Sequence, residues 1–173
     1  MPAGSTYTPI ATTTLGSSAS TVTFNSFSGY TDLVIVISAR DSRSADGDGV
    51  QICFNSDTSS SGTNYSTTYL DNGPGSARES NARAISFYQI AGNNYASNGY
   101  GTLIINIQNY ANTTTNKTAI GGGGWAPNYM ARSAGLWRNT AAITSLTLYP
   151  GFNGSGFTFS TGSTFTLYGI QAA

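Results

Sequence analysis

Histidine is absent from this 173-residue chain. That removes the side chain most used as a general base near neutral pH, and the commonest metal ligand. Ser-His-Asp and Cys-His arrangements are therefore excluded. With Cys53 as the one cysteine, the ligands of a zinc tetrahedron are missing and no intrachain disulfide can form. Charge is scarce as well. Charged residues make up 8% of the chain, against roughly 25% in an average soluble domain, and the formal net charge is +0. Lysine occurs once, at Lys117, and the arginines are scattered. Such a surface has no cluster to neutralise phosphates, which argues against nucleic acid as a partner. The longest apolar run, Leu33 to Ile37, is far short of the roughly 20 residues of a membrane span. No basic start leads into an apolar stretch, so no signal peptide is expected. Gly121 to Gly124 is not followed by Lys-Ser or Lys-Thr, so no phosphate-cradling loop is expected either.

What is present suits a folded domain. Hydrophobic residues reach 39%, and a chain of this length can bury a core without staples. Strong helix formers never gather at a period of 3.6. Thr, Val, Ile, Tyr and Phe recur instead in short runs bounded by Gly, Asn, Ser and Asp, the mark of strands and turns. The runs are 7–14, 21–24, 33–39, 49–55, 65–70, 84–90, 102–108, 117–120, 143–149, 157–159 and 164–170. Continuous Leu33 to Ala39 reads as a central strand covered on both faces. Gly121 to Gly135 reads as a loop, because four consecutive glycines are too flexible for a strand centre. The expectation is one all-β domain over residues 1–173, an antiparallel β-sandwich of about ten short strands. Its core spans about 7–170 and residues 1–6 form an N-terminal arm. A neutral chain also lacks the repulsion that keeps copies apart, so self-association is expected.

Paired carboxylates are the remaining route to catalysis. Asp32 and Asp41 flank the central strand and could face one cleft, but Asp is common at strand ends for local hydrogen bonding, and that reading is preferred. Asp41, Asp46 and Asp48 carry oxygens of the kind calcium accepts, without the spacing of an EF-hand; a polar hairpin turn is preferred there. Cys53 lies in an apolar run and reads as a buried small hydrophobe. Four Asn-x-Ser/Thr triplets, at Asn64, Asn112, Asn116 and Asn153, are expected by chance in a chain this rich in Asn, Ser and Thr. No catalytic residue, metal or cofactor is expected. The aromatics are more informative. Tyr95, Tyr100, Trp125 and Tyr129 fall in stretches rich in Gly and Asn. Three readings stand side by side for them: packing under long loops, contact with neighbouring copies, and stacking on sugar rings.

Several segments resemble a known group. They are Tyr7-Thr8-Pro9-Ile10-Ala11-Thr12-Thr13-Thr14-Leu15, Val22-Thr23-Phe24 and Gly29-Tyr30-Thr31-Asp32-Leu33. Phe54-Asn55, Asn64-Tyr65-Ser66, Asn109-Tyr110-Ala111-Asn112 and Asn116-Lys117-Thr118 follow. Trp137, Ala142-Ile143-Thr144-Ser145 and the closing Gly162-Ser163-Thr164-Phe165-Thr166-Leu167-Tyr168-Gly169-Ile170 complete the series. In this order they resemble a module of tailed-bacteriophage virion structural proteins, over nearly the whole length. The resemblance implies a jelly-roll-like sandwich with no catalytic residues to carry over. Relatives often place His after Asn-Tyr-Ser, where this chain has Thr67-Thr68, so a site built on that His does not carry over. The resemblance fits head decoration and tail fibre alike; a chain holding little beyond one module suits a capsid decoration or cement protein on the outer surface of the particle, made in the host cytoplasm, better than a fibre with its long shaft. The expected partners are its own copies, as a homotrimer, and the major capsid protein. The alternative is a tail-fibre or receptor-binding module that contacts other virion proteins and grips a host glycan.

Overall fold

Branched and aromatic side chains fit a pleated surface, so short runs of them favour extended backbone. A computed structural model describes residues 6–58, 63–73, 76–151 and 156–171. Among the described residues there are twelve strands and no helix. In chain order they are β1 (Tyr7–Thr14), β2 (Val22–Asn25), β3 (Asp32–Ala39), β4 (Gly47–Phe54), β5 (Tyr65–Asp71) and β6 (Ser76–Ala82). Next come β7 (Ile85–Ala91), β8 (Gly101–Ile107), β9 (Lys117–Trp125), β10 (Tyr129–Trp137), β11 (Ser145–Pro150) and β12 (Thr164–Ile170). Residues 1–5 of the expected arm, Pro74-Gly75 and Asn153 lie outside the described residues.

The pairing is nested. β1 pairs with β12, β2 with β11, β3 with β8 and β4 with β7, each antiparallel. Contacts of β12 with β3 and of β11 with β4 join these pairs into two sheets. Two hairpins, β5–β6 and β9–β10, interrupt the nesting and extend one sheet beyond β8. The sheets therefore run β1-β12-β3-β8-β9-β10-β5-β6 and β2-β11-β4-β7. This is the expected all-β sandwich, with unequal layers.

The core lies between the layers. Leu33, Ile35, Ile37, Leu103, Ile105, Ile107, Phe165 and Leu167 enter it from the larger sheet. Val50, Ile52, Phe54, Ile85, Phe87, Leu146 and Leu148 enter from the smaller, and all are buried. Period-two alternation puts one side of each strand in this space. Edge strand β7 is closed off by side chains of the larger sheet. The Ser86 amide donates to Thr67 Oγ1 at 3.0 Å. Ser86 Oγ and the Tyr88 hydroxyl donate to the two oxygens of Glu79 at 3.0 and 3.1 Å. Hydroxyl pairs take the place of ion pairs on the surface: Thr12 with Thr166, Thr14 with Thr164, Thr23 with Thr147.

Three expectations need correction. Residues 121–135 are not a loop, because Gly121 to Gly124 lie in β9 and residues 129–135 in β10. The space that side chains would take is already filled. A Cβ on Gly121 would meet the Phe87 ring at 2.7 Å, and one on Gly135 would meet Ile85 at 2.1 Å. Packing across the core thus overrides glycine's weak strand preference. Residues 157–159 form no strand, since Phe159 makes only isolated bridges to Ala19 and Asp41. Finally, β3 is central, but the smaller sheet covers it on one face only. On the other side, its register neighbour Ile104 is 44% exposed.

Candidate functional site

Three of the four aromatics singled out from the sequence meet at one end of the sandwich. Trp125 ends β9 and Tyr129 begins β10, so the hairpin stacks their rings with centroids 4.6 Å apart and planes 18° apart. The Tyr95 hydroxyl donates to the carbonyl of Ala126 in the same turn. That turn contains a cis Ala126–Pro127 peptide. The Tyr129 hydroxyl donates to Asp71 Oδ2 at 2.9 Å; burial, then Asp71, raises its pKa. Trp125 is 8% exposed and lies against Gly47, where a Cβ would sit 1.9 Å from the indole. Trp125 is thus largely covered by its own chain, with one ring face on Tyr129. A shallow pocket of about 380 Å³ remains beside it, lined by Asn72, Gly124, Pro127, Tyr129 and Met130 among others.

Tyr100 goes elsewhere. It lines an open cleft of about 470 Å³ with Ser18, Arg40, Ser42, Asn93, Ser97, Thr158, Ser160 and Thr161. Its hydroxyl donates to the Thr161 carbonyl at 2.8 Å. The cleft wall is set by Arg40, just past the end of β3. This arginine is buried, and its guanidinium donates to the carbonyls of Asn93, Tyr95, Ala96 and Gly99 at 2.7, 3.0, 2.5 and 3.3 Å. It thereby shapes the whole β7–β8 connection. The side chains of Ser18, Asn93, Ser97, Ser160 and Thr161 make no hydrogen bond among the described residues and are free to meet a ligand.

The acids do not assemble a catalytic pair from Asp32 and Asp41. They sit at opposite ends of β3, where Asp32 Oδ1 accepts from the Asn109 amide at 2.6 Å and Asp41 is buried. Asp46 is exposed while Asp41 and Asp48 are buried, and no group of three potential metal ligands occurs among the described residues. Cys53 is buried in β4, and burial, followed by Asp57, pushes its thiol up to about 12, so the unreactive protonated form persists. Lys117 is also buried, donating to the carbonyls of Thr115 and Thr140 at 2.8 and 3.0 Å. The chain's lone lysine is thus a structural group, not part of a basic surface.

Sequence reasoning missed the outer face of the larger sheet. Register puts Val36, Ile104, Gly122, Arg132 and Leu70 in one row across five strands. The next row is Val34, Asn106, Ile120, Ala134 and Thr68. Leu70 is 63%, Ile120 47% and Met130 67% exposed. Gly122 leaves a depression of about 200 Å³ between Ile104, Asn106, Ile120 and Arg132. The signal was available: the residues between the core-facing ones in β8, β9 and β10 include Ile104, Ile120 and Met130, where a solvated face would carry charge. In comparisons with known proteins, no family model, curated protein or solved structure matches the chain. Its class, an all-β sandwich with one sheet extended and one face uncovered, comes from its own geometry.

Proposed function

We propose that this chain is a structural protein of a bacteriophage particle, a decoration or cement protein on the outer surface of the head. It acts by contact and not by catalysis, joining neighbouring shell subunits and its own copies in a homotrimer. The observation that carries the reading is the outer face of the extended sheet. Four exposed large apolar residues lie on it, and the charges in its two central rows are Arg132 and, at the edge strand β6, Arg78. Such a patch marks an interaction surface. The nested pairing supports the same reading. Without the two inserted hairpins, β1-β12-β3-β8 faces β2-β11-β4-β7, an order that fits a jelly roll, and jelly rolls serve as viral capsid and lectin domains. That last link is analogy at the level of fold. The likeness of the closing 162–170 segment to virion proteins points the same way.

The test is a double substitution, Ile104→Lys with Ile120→Lys. Both side chains are nearly half exposed, so the fold tolerates the change. Binding to heads lacking the protein falls at least about tenfold, because two unpaired charges are desolvated in the contact. Wild-type density on the head in electron cryo-microscopy is the companion result. Density confined to the tail, or unchanged attachment of the double variant, ends the proposal.

A second reading has its own support. The hydroxyl-rich cleft beside Tyr100 suits a neutral polyol, which would favour a tail-fibre or receptor-binding module gripping a glycan. Binding on a glycan array that falls about tenfold or more in Tyr100→Ala, and is retained in Ile104→Lys, favours this reading. No binding to any glycan removes it.

A further inference from the structure

Two carboxyl groups meet where the chain crosses from one sheet to the other. Asp41 lies just beyond β3 of the larger sheet and Asp48 near the start of β4 in the smaller. They are 0% and 4% exposed. Each uses one oxygen conventionally. Asp41 Oδ1 accepts from the Arg43 amide at 3.2 Å. Asp48 Oδ1 accepts from Arg43 Nη1 at 2.9 Å and from the Gly49 amide at 2.7 Å. The second oxygens, Asp41 Oδ2 and Asp48 Oδ2, are buried without a donor among the described residues, and both carboxyl groups converge on Arg43, Asp41 on its amide and Asp48 on its guanidinium. Two facing acceptors repel unless something positive lies between them.

We propose that one proton is held between Asp41 and Asp48 and that it latches the two crossover connections at this end of the sandwich, releasing them as the pH rises. Arg43 offsets one of the two charges, and among the described residues nothing offsets the second. Arg43 is engaged with Asp48 Oδ1 and its side chain is 41% exposed. Arg40 is spent on four carbonyls of the β7–β8 connection. Asp46, on the β3–β4 connection, is exposed and adds negative charge. The packed segments 92–100 and 156–163 contain no Asp, Glu, Lys or Arg, and Trp125 on Gly47 is neutral. The latch binds real structure. The Asp41 amide donates to the Ala91 carbonyl at 2.9 Å, and the Gly92 amide donates to the Asp46 carbonyl at 2.9 Å.

The direction of the pH effect follows. Burial, then Asp48, pushes Asp41 from 3.8 up to about 8 in the folded chain. The folded state therefore binds a proton that the unfolded state has lost, and stability declines as pH rises between these values. The contribution is fully present below pH 3.8 and gone above about pH 8.

Asp41→Asn isolates the effect, because an amide donates to Asp48 at every pH. Relative to this variant, the wild-type melting temperature falls by roughly 5 °C or more between pH 5 and pH 9. Acrylamide quenching of Trp125, which packs on Gly47 between Asp46 and Asp48, rises over the same range in the wild type alone. Parallel melting curves for the two proteins overturn the proposal. So does a wild-type melting temperature that calcium chloride raises at pH 9 and that Asp41→Asn renders insensitive, since the pair would then hold a cation. If the variant does not fold, infrared spectra of the wild type decide. A protonated-carboxyl C=O stretch present at pH 6 and lost with a midpoint near the value of about 8 supports the latch, and its absence at pH 6 overturns it.

Discussion

Replacing Trp137 with alanine destabilises this protein by about 3–5 kcal/mol, the loss typical of truncating a fully buried tryptophan. Trp137 ends β10 and is 1% exposed. Its ring stacks on Tyr65 at 6.3 Å with planes 14° apart, and Phe54 tilts against it at 5.6 Å. The cluster reaches across the sandwich, since Phe54 belongs to the smaller sheet and the other two to the larger. Polar bonds tie it down. The Phe54 amide donates to the Tyr65 hydroxyl at 3.0 Å, and Trp137 Nε1 donates to Asp57 Oδ2 at 2.7 Å. Asp57 is held in place by Asn64 Nδ2 at 2.9 Å. Truncation leaves a cavity between layers that Tyr65 and Phe54 cannot fill without leaving their own partners. In thermal unfolding the loss appears as a fall of roughly 10 °C. Trp137→Phe keeps most of the ring contact and loses the bond to Asp57, so it costs about 1–2 kcal/mol. A melting temperature for Trp137→Ala within about 2 °C of the wild type would show that the cluster does not brace the layers.

Legibility from sequence follows burial pattern. β3, β8 and β12 stand out because their apolar residues face the core, whereas β1 shows through its run of Thr and Ile with only Ile10 packed against that core. β6, Ser76–Ala82, carries no apolar alternation, because it is an edge strand whose inward contributions are the Glu79 carboxylate and the small Ala82 at its end. β9 hides behind its glycines, of which Gly121 leaves room for the ring of Phe87, on a strand some 30 residues away. No local rule reports that contact. The aromatic candidates were legible as a group but not as a site, since Trp125 and Tyr129 stack on one another while Tyr100 turns to a different cleft. The Asp41–Asp48 pair stayed hidden for a related reason. Its chemistry comes from burial across two sheets, and the sequence shows only aspartates in a region that reads as a turn.

Arg40→Met removes the group that organises the cleft, and the expected loss is about 3–5 kcal/mol, comparable to breaking a buried charged network. The four carbonyls it serves belong to residues 93–99, a stretch with no charged side chain of its own and few internal hydrogen bonds. No carboxylate accepts from Arg40 among the described residues, so the cation is offset by carbonyl dipoles alone. A planar fork with five donors can serve acceptors spread along a loop, whereas a lysine ammonium is a single point with three. Arg40→Lys therefore recovers only part of the stability. In either variant the loop carbonyls can reach water if the connection swings outward, so the damage is concentrated there. Limited proteolysis checks this, with cleavage within residues 92–100 appearing at low protease in Arg40→Met while the wild type resists. The same variant bears on function. If the cleft beside Tyr100 binds a glycan, Arg40→Met abolishes that binding as fully as Tyr100→Ala. If the outer face of the larger sheet is the working surface, attachment to heads survives, because that face is built on β3, β8, β9, β10 and β5 and not on the clamped loop. An Arg40→Met protein as stable and as protease-resistant as the wild type would mean that the connection holds its shape without the arginine.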